Sequence, residues 1–240
     1  MPIPKIIHHI WTSGNEMWPQ YKAFRETWKK YNPGFKFMLW TCQDFEYDKY
    51  SYDSNLILKS NDFWELKFDV VTWEILRLYG GIKTDNDMIC LKSFKPLLKY
   101  NSFAGRNWGE CEMGVQLVGM SKGNPLTESI SAAVTSAILL NRKRAHGGRI
   151  YAYTDFPAYP FLKKCELVLS KEAFNPFGWQ VLQKGGKSIN DPANKIKELL
   201  TENNWYPDSY SVHCWGSVMS GGWTKIMKEK KAEACRGMVI

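Results

Sequence analysis

The N-terminal stretch constrains the fold more than any other part of the chain. Ile3 to Trp11 (IPKIIHHIW) is an apolar run broken by two histidines, the pattern of a buried strand. Pro19 to Tyr31 then sets Tyr21, Phe24 and Trp28 at i, i+3 and i+7, on one face of a helix. Asn32-Pro33-Gly34 stops that helix, and Phe35 to Trp40 returns to strand character. A strand, a helix and a strand in succession favour a parallel sheet with helices covering it. The fold class expected is therefore α/β.

The same alternation continues downstream. Residues 42–60 are polar and read as loop or short helix. A helix starts near Ser60-Asn61, a capping pair, and Trp64, Phe68, Val71, Ile75 and Leu78 form its apolar stripe. Gly80-Gly81 ends it. Ile82 to Leu91 (IKTDNDMICL) reads as a strand and its exit. Val115 to Met120 is a short strand, and Pro125 opens a helix through about Leu140. Asn141 to Arg149 reads as a basic, glycine-containing loop. Cys165 to Leu169 and Tyr210 to Trp215 are strand candidates, Pro192 to Asn203 a polar helix, and Thr224 to Arg236 a Lys-rich terminal helix. There is no repeat and no linker. At 240 residues the expectation is a single domain over 1–240, with 224–240 as a basic C-terminal helix.

Charge and cysteine usage narrow the function. Lys and Arg total 32 against 24 Asp and Glu, giving 32 − 24 = +8, which favours anionic partners. No helix-turn-helix, RNP or zinc pattern is present, so nucleic acid is not expected as a partner. Aromatics reach 15% with 11 Trp, enough to call for a deep core, a stacking site, or both. The six cysteines (Cys42, Cys90, Cys111, Cys165, Cys214, Cys235) are widely and irregularly spaced. That spacing points to free thiols in a reducing compartment. The N-terminus lacks a signal-peptide apolar region, and no run approaches the ~18 apolar residues of a membrane span. A cytoplasmic location is expected, with membrane association through the Lys-rich end (Lys225, Lys228, Lys230, Lys231) as an extension of it.

The segment that carries chemistry is Thr84-Asp85-Asn86-Asp87-Met88. On a continuous strand, residues two apart share a face, so Asp85 and Asp87 would lie side by side. Adjacent carboxylates repel unless a cation sits between them. Mg²⁺ or Mn²⁺ suits such oxygens, and Mg²⁺ typically combines one or two carboxylates with substrate phosphates. Asp-x-Asp alone also occurs in solvated turns. Its context here is a capped helix, a Gly-Gly turn and apolar strand residues, with Asp69 flanked by Phe68, Val70 and Val71 upstream.

In that context the run from Phe68 to Asp87 (FDVVTWEILRLYGGIKTDND) resembles the core motif of the DXD-containing glycosyltransferases of family 32. That family includes fungal α-mannosyltransferases, animal α-galactosyltransferases and bacterial or viral polysaccharide enzymes of the capsular type. The opening IPKIIHHIW, Asn32-Pro33-Gly34 with Trp40, and Val212-His213-Cys214-Trp215 are similar to further blocks of the family, in the same order. The resemblance implies a GT-A fold, a Rossmann-like and mostly parallel sheet flanked by helices. It also implies a nucleotide-sugar donor (UDP- or GDP-linked), a divalent cation (Mn²⁺ or Mg²⁺), a glycan or glycolipid acceptor, and transfer with retention of configuration. Residue by residue, it implies donor contacts at Ile10, Trp11, Asp69 and Asp85. Asp85 and Asp87 form the catalytic pair, with Asp87 on the metal and His213 a late metal or diphosphate contact.

Three positions depart from the family pattern, among them His9, which stands where the family has a Gln. Thr72 stands where the family has an Arg, and Lys83 where it has a Tyr. Lys83 is expected either to pair with the aspartates or to approach the donor diphosphate. Further candidate cations are Arg106 and the Arg142-Lys143-Arg144 loop. Glu110, Glu112 and the late tryptophans (Trp108, Trp179, Trp205, Trp215, Trp223) are candidates for sugar contacts. The competing expectation, motivated by Thr72, is a catalytically impaired protein that binds nucleotide-sugar or glycan.

Overall fold

The computed structural model describes residues 1–11, 16–60, 64–107, 113–145, 155–176, 183–184, 187–188 and 208–214. β1 (Ile6–Ile10) and β2 (Lys36–Trp40) are joined by α1 (Pro19–Tyr31) and pair in parallel from Ile6↔Lys36 to Ile10↔Trp40. The expected apolar face of α1 is the one that packs: Tyr21 and Trp28 are buried and Phe24 is half-buried. The Trp28 indole Nε1 also donates to the Met88 carbonyl at 2.9 Å, so the helix is fixed to a particular backbone atom as well as to a face. Asn32 ends α1 from inside the core. Its amide donates to the Trp28 carbonyl and its Oδ1 accepts from Phe94 N–H at 2.8 Å.

The central sheet has the order β2-β1-β3-β6-β5-β7, with β3 (Gly81–Thr84), β5 (Ser102–Arg106), β6 (Met113–Met120) and β7 (Leu167–Leu169). β3 is parallel to β1, β7 is parallel to β5, and β6 is antiparallel to both of its neighbours. Only β6 runs against the rest. The sheet is therefore mostly parallel, and helices flank it, as in the GT-A type of α/β fold.

One core gathers Ile10 and Trp40 of the sheet with α2 (Tyr52–Leu58), α3 (Trp64–Tyr79), α4 (Pro125–Ala145) and α5 (Asp155–Leu162). A second gathers Ile7, Ile82 and Phe103 with Trp28 of α1 and with Phe174 of α6 (Lys171–Phe174). α3 buries more than the expected stripe. Leu66, Val70, Val71, Trp73, Ile75 and Leu76 are all enclosed, whereas Phe68 and Leu78 are half-buried. The reason is that α3 lies between other helices and the sheet, so both of its flanks meet apolar neighbours.

Gly80 and Gly81 do more than terminate α3. They have φ of 61° and 104°, the region that favours glycine. A Cβ on Gly80 would stand 2.4 Å from Lys122 N, and one on Gly81 would stand 2.8 Å from both His8 Nε2 and the Ile6 carbonyl. The pair thus lets β3 enter the sheet tightly against β1.

Several expectations are corrected. Ile82 to Leu91 is not one strand: β3 ends at Thr84, Asn86 and Asp87 turn, and β4 (Met88–Cys90) leaves the main sheet. Residues 141–145 continue α4 rather than opening a loop. β5, α5, α6 and the small pair β8 (Gln183–Lys184) and β9 (Lys187–Ser188) were not expected. The thiol expectation holds for Cys90, Cys165 and Cys214, which are free and buried, but Cys42 is disulfide-bonded. The helices expected over 192–203 and 224–236 lie outside the described residues. Among the described residues, no helix is long and apolar enough to cross a membrane.

Candidate active site

Two local devices build the site. The first is the turn after β3. Asp85 N–H donates to the Gln116 carbonyl at 2.9 Å, which extends the β3–β6 ladder by one residue. Asn86 then donates from Nδ2 to the Ile10 carbonyl at 2.6 Å. This ties the turn to the C-terminal end of β1, the end of a parallel sheet where ligands of open α/β folds bind. The second device is β10 (Ser211–His213), which pairs antiparallel with β4 in the register Ser211↔Cys90, Val212↔Ile89, His213↔Met88. Cys214 N–H donates to the Asp87 carbonyl at 2.7 Å. That ladder carries His213 to Asp87 across 126 positions of sequence, with Nε2 3.1 Å from Asp87 Oδ2.

Asp85, Asp87 and His213 accordingly converge, each offering one ligand atom, and these atoms lie within 4.8 Å of one another. The aspartates meet through a turn, not through strand alternation, so the expected proximity is found for a different reason. Lys83 joins them from inside the sheet. Its ammonium lies 2.5 Å from Asp85 Oδ1 and 3.1 Å from the Val115 carbonyl, and 5.3 Å from the centre of the Phe68 ring.

The electrostatics follow from crowding like charges in a poorly hydrated place. Burial lifts the Asp85 carboxyl above the usual carboxylate range; Lys83 opposes that rise and Asp87 adds to it. Burial disfavours charge on His213, but attraction and hydrogen bonding to Asp87, with help from Asp85, outweigh it and raise its pKa. Burial pushes the Tyr21 hydroxyl and the Cys214 thiol upward, and the negative charge of Asp87 pushes both further. Two carboxylates and an imidazole within ligand distance are a donor set for a divalent cation. A mixed oxygen and nitrogen set suits Mn²⁺ better than Mg²⁺, which prefers oxygen throughout.

The other expected site residues are not members of this cluster. Ile10 is buried and its carbonyl holds Asn86. Trp11 is also buried, its ring edge-on to Trp18 at 6.3 Å and to Tyr21 at 5.8 Å. It forms one wall of a cleft of about 400 Å³ with Met17, Leu39, Thr41 and Arg25. Asp69 is half-buried on α3 and is not one of the three clustered residues. Thr72 is buried, and its hydroxyl has no hydrogen-bond partner among the described residues. Arg106 is exposed at the end of β5. The side chains of Arg142, Lys143 and Arg144, together with Trp108, Glu110, Glu112, Trp179, Trp205, Trp215 and Trp223, lie outside the described residues.

Sequence reasoning missed Asn86 and Tyr21. Asn86 had a legible signal, an amide placed between two acids at a strand end. Tyr21 had none, because its closeness to Asp87 exists only once α1 is packed.

Residues 19–104 match the family model described as the glycosyltransferase sugar-binding region containing a DXD motif. Over those residues the chain is similar to the sugar-binding region of the DXD-motif glycosyltransferases. Asp85-Asn86-Asp87 is an Asp-x-Asp within the matched residues. The matched segment runs from the start of α1 into β5 and leaves β1 and His213 outside it.

Among relatives, an inositol phosphoceramide mannosyltransferase of Schizosaccharomyces pombe is 28% identical over 136 residues, which is 51% of this chain and 35% of that protein. An uncharacterized glycosyltransferase of Acanthamoeba polyphaga mimivirus is 30% identical over 105 residues, 42% of each chain. The chain thus spans well under half the length of the curated relatives it matches. Among solved structures, the PaToxG glycosyltransferase superposes with a TM-score of 0.52 at 16% identity, over 99% of this chain and 88% of that one, a likeness of fold.

Proposed function

We propose that the chain is a metal-dependent, retaining glycosyltransferase that moves a hexose from a nucleotide-sugar to a glycan or lipid-linked acceptor. The observation that carries this reading is the convergence of Asp85, Asp87 and His213 beside the C-terminal end of β1, inside a DXD-type region. Asp87 and His213 would hold the divalent cation, Mn²⁺ by the donor set, with Asp85 completing the cluster or facing donor hydroxyls. When bound, the ion would supply charge stabilisation for the leaving diphosphate. Ile10 and Trp11, at the end of β1, bound the side on which the nucleotide would lie, and the cleft beside Trp11 offers a place for its base. Asp69 on α3 is assigned to the donor sugar or ribose, and Lys83 to the charge balance at the diphosphate.

Retention fits the same arrangement. Both clustered carboxylates already have partners, Lys83 and His213, so neither stands ready as a covalent nucleophile. Attack by the acceptor on the face the diphosphate leaves from needs none. The names of the relatives make a mannosyl donor and an inositol-phosphate lipid acceptor the first pair to test. The basic 224–240 segment is assigned to peripheral contact with a membrane, and the whole of 1–240 to one domain. Flotation with anionic vesicles tests the membrane contact, and binding lost on deleting 224–240 is the expected result.

A second reading, a nucleotide-sugar or glycan-binding protein without turnover, draws on Thr72, whose buried hydroxyl reaches no partner among the described residues. A panel of UDP- and GDP-sugars, with and without Mn²⁺, separates the two. Mn²⁺-dependent stabilisation by one donor together with release of its diphosphate supports the enzyme. Stabilisation with no release from any donor in the presence of acceptors supports the binding protein.

A further inference from the structure

Lys83 is the unexpected charge of the sheet. It sits on β3, between His8 of β1 and Val118 of β6 in register, where both neighbours are buried. Its side chain is only 3% exposed. Lysine is rarely so enclosed without a reason, because burying an ammonium away from water is costly. Three contacts compensate it: Asp85 Oδ1 at 2.5 Å, the Val115 carbonyl at 3.1 Å, and the Phe68 ring at 5.3 Å. The strands on both sides of β3 fix the backbone from which this side chain extends, and the three contacts hold its ammonium beside Asp85.

We propose that Lys83 is a built-in counter-ion that makes tight binding of the divalent cation depend on a nucleoside diphosphate arriving with it. The inference rests on the metal-site reading given above. The charge count carries it. Asp85 and Asp87 contribute −2 and Lys83 +1, so with His213 as a neutral ligand the cluster holds −2 + 1 = −1. A divalent cation alone then leaves the cluster at +1, a poorly hydrated surplus. The same cation with an anionic diphosphate removes that surplus. Without Lys83 the cluster holds −2, which the cation alone would balance. The pairing also divides the aspartates: Lys83 occupies one oxygen of Asp85, while Asp87 has His213 beside it. Lys83 is thus a positioning residue for Asp85 and a regulator of when the metal binds.

The test is Mn²⁺ binding to the full chain, followed by electron paramagnetic resonance, alone and with UDP or GDP. The wild type is expected to bind Mn²⁺ weakly alone and at least about tenfold more tightly with one of the nucleotides. Lys83→Met should bind Mn²⁺ alone at least about tenfold more tightly than the wild type, as removing a buried charge at this range implies, and gain little from nucleotide. Lys83→Arg should keep the wild-type pattern. A folded Lys83→Met chain with unchanged Mn²⁺ affinity would overturn the role of Lys83. Should Lys83→Met fail to fold, the double variant Lys83→Met/Asp85→Asn removes both charges together. That variant also holds −1, so it is expected to keep Mn²⁺ affinity within about threefold of the wild type on Asp87 and His213 and to keep the nucleotide dependence. A double variant that binds Mn²⁺ alone at least about tenfold more tightly than the wild type, or that gains nothing from nucleotide, would overturn the proposal. A wild-type chain that binds no Mn²⁺ under either condition would instead remove the metal-site reading, and this inference with it.

Discussion

At the scale of single residues, a tightly engaged carboxylate lies away from the site. Glu74 is fully buried on α3. It accepts from Ser51 N–H, from the Ser54 hydroxyl at 2.5 Å and from Arg77 Nε at 2.8 Å. These contacts fasten the start of α2 to the middle of α3, the helix that carries Asp69. A buried ion pair adds little net stability as a pair, but removing one partner strands the other. Glu74→Ala should therefore cost about 3 kcal/mol, read from the urea midpoint. Glu74→Gln should cost less, because an amide oxygen still accepts from the serines. The exposed pair Glu26–Lys29, though 2.6 Å apart, is screened by water and contributes little; Glu26→Ala should leave the midpoint unchanged. Lys83–Asp85, at 2.5 Å, resembles the first of these in burial and the second in distance. Distance alone does not rank such pairs.

At the scale of elements, the entry of β3 into the sheet decides where the DXD turn stands. Gly81 lets the strand lie against β1, and Gly81→Ala would force a Cβ to 2.8 Å from a backbone oxygen and from the His8 ring. Overpacking combined with a disfavoured φ should cost about 2–4 kcal/mol. The turn should shift with the strand, so Mn²⁺ affinity should fall along with the melting temperature. His8 supports the same junction. Its Nε2–H donates to the Gly80 carbonyl at 2.7 Å while Nδ1 accepts from Trp40 Nε1 at 3.0 Å, which requires a neutral ring.

Burial holds the His8 pKa down to about 4 from 6.5. Because the folded value lies below the unfolded one, the unfolded chain takes up the proton first as pH falls. The contribution of His8 is intact above pH 6.5 and is lost between 6.5 and about 4, a loss of roughly 3 kcal/mol. Thermal melts across that range should show the decline. His8→Gln should flatten part of it, since His9, also buried, is shifted in the same direction.

These elements also show what was readable in advance. The β1-α1-β2 unit was legible because its signals are local: an apolar run, a helical stripe and an Asn-Pro-Gly stop. The bend at Asp85 was not. Asp-Asn-Asp carries turn chemistry, but nothing in IKTDNDMICL says that the strand leaves one sheet for another there. That point is set by β10, a segment 126 residues away from Asp87 in sequence. β5 was missed for a similar reason. Ser-Phe-Ala-Gly-Arg alternates poorly, and its glycine is required by the Phe174 ring, which a Cβ at Gly105 would meet at 2.4 Å. Lys83 was read as pairing with the aspartates or approaching the diphosphate, and its burial came only from the strands on both sides of it.

At the scale of the whole molecule, a sheet of six strands places the ends of β1 and β3 side by side, and the β4–β10 ladder closes a cluster of two acids and a histidine against them. In the proposed function, the surplus charge of +8 has a local counterpart in a site that would take a diphosphate together with a cation. Among the described residues the tryptophans belong largely to the core: Trp28, Trp40 and Trp73 are buried, and Trp11 packs into the α1 face. The central claim is that Asp87, held by its ladder and faced by His213, makes sugar transfer depend on a divalent cation. The most direct measurement is diphosphate release from the donor selected by the nucleotide-sugar panel, with Mn²⁺ titrated, for the wild type and for Asp87→Asn. The account predicts turnover that rises with Mn²⁺ and vanishes with chelator in the wild type, and a loss of at least about a hundredfold, at unchanged melting temperature, in the variant. A folded Asp87→Asn chain that turns over donor with the wild-type dependence on Mn²⁺ would contradict it.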